Sequence, residues 1–83
     1  MAEIAQTSLV ERIARVLAGQ AHSSNAQGSD PSAADTVDLV WSDYREQAVA
    51  VLHAIREPDS AAAAAGDAST WHRMIEAAIA NAE

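Results

Sequence analysis

The stretch VDLVWSDYREQAVAVLHAI, residues 37–55, decides the fold. Its apolar side chains, Val37, Val40, Trp41, Tyr44, Ala48, Val51, Leu52 and Ile55, recur at intervals of three and four. At about 100° per residue that spacing gathers them on one face, the pattern of an amphipathic α-helix packed on a core. The spacing predicts a long helix over residues 35–57. It must stop before Pro58, because proline pushes the residue ahead of it out of helical geometry.

Working outward, Ser8-Leu9-Val10-Glu11 fits a capping box, so a first helix is expected over residues 8–18. Its core stripe would be Leu9, Val10, Ile13, Val16 and Leu17, with Gly19 as a left-handed C-terminal cap. Residues 1–7, where Ile4 falls on the wrong face, are expected to fray or add a short turn. The polar run QAHSSNAQGS at 20–29 reads as loop, part of a connection over 19–34, with Asp30-Pro31 placed to open a short turn. Downstream, Asp59, an alanine run and Gly66 predict a short helix over 59–65. A last helix is expected over 69–82, capped from among Asp67 to Thr70 and carrying Trp71, Met74, Ile75, Ala78, Ile79 and Ala82 on one face. The expected fold is all-α: one domain, a small bundle of three main helices plus one short helix, with Trp41 and Trp71 as large fillers between antiparallel neighbours.

Composition sets limits on that bundle. At 83 residues a second domain is not expected, and 21 of the apolar residues are alanines, which favour helix but bury little area. So thin a supply of larger apolar side chains leaves homodimerisation open as a way to bury more surface. Twelve acids against five arginines, with no lysine, give a net charge of −7. That balance opposes direct binding to nucleic acid or an anionic membrane and favours a basic protein surface as partner. With no cysteine, no signal-like start and no long apolar run, a cytoplasmic protein is expected.

Catalytic equipment is not expected. His22, His53 and His72 lack the spacing that converges ligands on a metal, and a His53–Glu57 pair has no third group to complete a triad. The three glycines are isolated, and the serines fall in loops and caps, so neither a cofactor nor an enzyme is implied. The remaining feature is acid placement. On one continuous helix, Asp35, Asp38, Glu46 and Glu57 fall near the direction opposite the apolar face, with Asp43 to one side. Such a stripe could imitate a row of phosphates, and Asp35, Asp38, Asp43 and Glu46 are the candidate partner-binding residues. A solvated helix face is the alternative reading.

Four segments, SLVERIARVLA at 8–18, WSDYREQA at 41–48, AIREPDS at 54–60 and WHRMIEAA at 71–78, together resemble a group of small helical proteins encoded by phages and prophages of proteobacteria. In that group an E-R-[IV]-A-R start, W-x-D-Y-R-x-x-A, A-x-R-E-P and W-x-x-M-I-x-A-A recur in the same order. The chain departs from the pattern in its longer 19–35 loop and in Ala61 to Ala65, where a larger apolar residue such as methionine is usual. The resemblance implies a phage origin and brings no catalytic residue with it. With size and charge, it implies a non-enzymatic anti-CRISPR inhibitor, a DNA mimic that binds a type I CRISPR surveillance complex through an acidic surface and blocks target DNA. The alternative is a phage interaction module or dimerising adaptor that binds through an apolar patch, a reading that exposure of Val49, Leu39 or Ile4 on one surface would favour.

Overall fold

A computed structural model describes the backbone of residues 7–25 and 33–82, and the side chains of 7–22 and 36–82. The expectations for residues 1–6, for the Asp30-Pro31 turn and for the Asp35 side chain lie outside those residues. Ser8 starts the first helix as expected: its Oγ accepts from the Glu11 amide at 3.1 Å, and α1 runs Leu9–Asn25. Gly19 does not end it. The helix continues to Asn25 through the first six of the polar residues read as loop, because no proline intervenes and Gly19 packs toward the next element; the rest of that run lies outside the described residues. A Cβ built there would sit 3.9 Å from Val37 Cγ2, an ordinary van der Waals contact.

The long helix expected over 35–57 is also corrected. It is α2, Ala33–Val40, then a 3-10 segment, Trp41–Tyr44, then α3, Arg45–Ala54. The backbone opens at both joints, with φ −118° and ψ −2° at Val40 and φ −101° and ψ 10° at Tyr44. Four residues wound at about 120° instead of about 100° advance α3 by roughly 80° relative to a continuous helix. Ala48 and Leu52 are thereby brought to the core, while Val51 and Ile55 turn toward solvent.

The last two helices start where local chemistry says they should. Asp59 caps α4, Ser60–Ala65, by accepting from Ala62 N–H at 2.9 Å. Asp67 caps α5, Ala68–Ala80, by accepting from Thr70 N–H at 3.1 Å.

The result is a small all-α bundle with α1 at its centre, packed against α2, the 3-10 segment and α3 and touching α5, which itself lies on α3. The core is Val10, Ala14 and Ala18 from α1, Ala48 and Leu52 from α3, and Ile75 from α5. That seam is turned by about 100° around α1 from the stripe expected from periodicity. Ile13 and Leu17 pack at its edge, and Val16 is 61% exposed. Trp41 packs against the core as expected, but Trp71 is 39% and Met74 63% exposed, because α4 contributes no buried residue to cover them. No described helix is long and apolar enough to cross a membrane.

Two substitutions test this packing. Gly19→Ala should stabilise by about 0.5–1 kcal/mol, since the site is helical and has room for a methyl group. Leu52→Ala, at the one large side chain that is fully buried among the described residues, should destabilise by about 2–5 kcal/mol. Urea midpoints of the two variants against the parent check both; a destabilised Gly19→Ala would mean that the helix ends there after all.

Candidate functional site

The acids proposed as one stripe have different roles in the fold. Asp38 Oδ1 accepts from Arg15 Nη1 at 2.6 Å, and Arg15 Nε donates to Glu11 Oε2 at 2.8 Å, so one guanidinium ties α2 to α1. The same guanidinium lies 5.3 Å from the Trp41 ring centroid, and Arg45 lies 5.4 Å from it. Glu11 first and Asp38 second, as hydrogen-bond partners, raise the Arg15 pKa above its ordinary value, so this charge is present throughout the range in which the protein can be handled. Asp43 and Glu46 are exposed and make no ion pair among the described residues. The roughly 80° advance of α3 takes Glu46 off the line of Asp38, and Glu57 lies beyond the end of α3.

The histidines do not converge. His72 Nε2 lies 3.1 Å from Glu76 Oε1, which also receives Arg56 Nη1 at 3.5 Å, a small polar cluster joining the end of α3 to α5. His53 is exposed, and because α3 stops at Ala54 the helix face it was to share with Glu57 is not formed. Among the described residues no group of three His, Cys, Asp or Glu side chains could hold a metal ion.

The most distinctive surface is apolar and lies between α4 and α5. Pro58, Ala62, Ala63, Ala65, Trp71 and Met74 line much of a groove of about 390 Å³. The Trp71 indole N–H donates to the Ile55 carbonyl at 2.7 Å, satisfying a group at the C-terminal end of α3 and fixing the ring in place. The indole is thus pinned by its N–H while Trp71 remains partly exposed and lines the groove. Met74, one turn on, adds a flexible thioether that can fit an irregular occupant. Asp67, the N-cap of α5, is the one acid that lines the groove. A signal for this site was present in the sequence. Ala61 to Ala65 are too small to cover a tryptophan and a methionine one turn apart on the facing helix.

No protein-family model, curated protein or solved structure matches this chain.

The pinned indole predicts an asymmetry between two variants. Trp71→Phe keeps an aromatic face but leaves the Ile55 carbonyl without its donor, and should cost about 1 kcal/mol in a urea titration. Met74→Ser, at an exposed position, should leave stability within about 0.5 kcal/mol of the parent.

Proposed function

We propose that this chain is a non-enzymatic protein-binding module that takes apolar side chains of a partner into the groove between α4 and α5. The observation that carries the reading is the half-exposed Trp71 ring, held in one orientation by its bond to Ile55 O. An aromatic anchor already fixed in place loses little freedom on binding, and aromatic residues in pockets dominate interface energetics. The exposure of Leu39, at 82%, belongs to the same pattern of large apolar side chains left at the surface. Asp67, the acid lining the groove, suits a partner whose apolar anchor is flanked by Lys or Arg.

Exposed, unpaired Asp43 and Glu46, with the net charge of −7, support a second reading: an anti-CRISPR inhibitor of phage origin whose acids compete with DNA for a type I surveillance complex. The two readings separate in one experiment. Parent, Met74→Asp/Ala62→Asp and Asp43→Lys/Glu46→Lys proteins are used as bait in the lysate of a CRISPR-bearing proteobacterial host. Loss of a specific co-purifying protein with the groove variant alone supports the groove, whereas loss with the charge-reversed variant alone, together with loss of CRISPR inhibition, supports the acidic reading. If both variants retain every species that the parent captures, neither surface is the binding site.

A further inference from the structure

The two walls of the groove between α4 and α5 are held very differently. α5 is tied to the bundle by Ile75, which is buried in the core, by the Trp71 N–H bond to Ile55 O, and by Glu76, which receives Arg56. α4 has no such tie among the described residues. None of its six residues is buried, and it packs on no other helix by more than a marginal contact. By contrast, the hollow between α1 and α3, lined by Leu9, Ile13, Val16, Leu17 and Val51, has both walls on helices packed against each other.

Local chemistry holds α4 in helical form. Alanine favours helix, the Asp59 side chain caps the first turn, and the Gly66 N–H closes the last on Ala63 O at 3.3 Å. Its length of six residues is well short of the roughly 12–15 at which an isolated helix becomes even marginally stable in water. Non-helical chain joins it at both ends, residues 55–59 ahead and Gly66-Asp67 behind. Gly66 has open space around it, with no atom within 4 Å of where a Cβ would stand, and glycine has the widest backbone range of any residue. Ala62, Ala63 and Ala65 line the groove that Trp71 and Met74 line from α5. An apolar side chain seated on Trp71 and Met74 would give those three methyl groups something to pack on, and so would stabilise α4 in place.

We infer that α4 is a lid, hinged at Gly66 and in the 55–59 connection, that opens locally in the free chain and closes on an apolar side chain seated against Trp71 and Met74. The inference rests on the groove being the binding site, and it adds how that site adapts. The Trp71 wall is fixed and sets where the anchor goes, while the alanine wall moves to fit its size. Elements that move on binding are drawn from the least stable parts of a fold, and α4, outside the core, is such a part.

Amide hydrogen exchange followed by NMR on the full chain tests the lid. In the parent, the amides of residues 63–66 should be at least about tenfold less protected than those in the middle of α1 and α5. Asp59→Ala, which removes the α4 cap, should lower α4 protection several-fold further and leave the urea midpoint unchanged, whereas Asp67→Ala, which removes the cap of α5, should lower the midpoint. Ala62→Leu, which supplies an apolar side chain from the lid itself, should raise α4 protection by about tenfold. Leucine is no better a helix former than alanine, so only packing can produce that gain. Amides of α4 as protected as those of α5 overturn the inference. So does a midpoint lowered as much by Asp59→Ala as by Asp67→Ala, or an Ala62→Leu chain whose α4 exchanges as fast as the parent's. Those outcomes leave a rigid groove, whose capture of a partner stands by itself. If instead Met74→Asp/Ala62→Asp keeps every captured species, the groove reading falls and the lid's role falls with it.

Discussion

How closely α1 can approach its neighbours sets the rest of this structure. Ala14 and Ala18 on α1 and Ala48 on α3 are fully buried. Methyl groups at those points let the helices come together at the short end of the usual separation of about 8–10 Å. A seam lined by methyl groups encloses few larger side chains. Among the described residues Leu52 is the only large side chain fully enclosed in it, and Ile13, Leu17, Trp41 and Tyr44 pack along its edges. Other large apolar residues, among them Val16, Leu39, Trp71 and Met74, are left outside by geometry, since burying them would require the helices to move apart and lose the alanine contacts.

With so few apolar anchors, α2 depends on polar and aromatic contacts for its position. Leu39 is 82% exposed, and α2 is held by Val37 beside Gly19, by the Arg15–Asp38 bridge and by Trp41 at its C-terminal joint. Exposed ion pairs contribute little by themselves. Here the guanidinium meets two carboxylates and an aromatic ring at once, so the entropy of fixing one long side chain is shared among three contacts. The 3-10 segment is the backbone counterpart of this arrangement: it places Trp41 beside Arg15 while turning Ala48 and Leu52 into the alanine seam.

The features legible in the sequence were those decided within a few residues. Ser8, Asp59 and Asp67 cap helices because a short acceptor side chain reaches an amide three residues on, wherever the rest of the chain lies. Gly66 and Pro58 likewise bound helices locally. Features that depend on packing were not legible. Spacings of three and four fit both a continuous helix and one interrupted by a 3-10 turn, so Val37 to Ile55 could not reveal the break. Gly19 resembles a cap until Val37 is seen beside it. On α1 the larger side chains outweighed alanine in setting the apparent apolar face, whereas the fold selects the face on which alanines permit close approach. The same error placed Trp71 and Met74 inside. Of the candidate acids, Asp43 and Glu46 are exposed as a surface site requires, while Asp38 is engaged in holding α2.

The surplus of acid acquires a physical role once the apolar surface is counted. A small protein that leaves Val16, Leu39, Trp71 and Met74 in contact with water would associate indiscriminately if it carried no charge. A net charge of −7 over 83 residues raises a long-range barrier to every encounter between copies and to encounters with most other acidic proteins. Association then occurs only where a matched apolar face, or a cation placed to meet the acids, overcomes that barrier. On this view acidity and apolar exposure are two parts of one property: the apolar grooves supply the attraction, and the charge restricts it to partners whose geometry fits. The exposed carboxylates can do this without forming a contact site, which is why an ordered, half-exposed tryptophan carries more weight about function than the acids do.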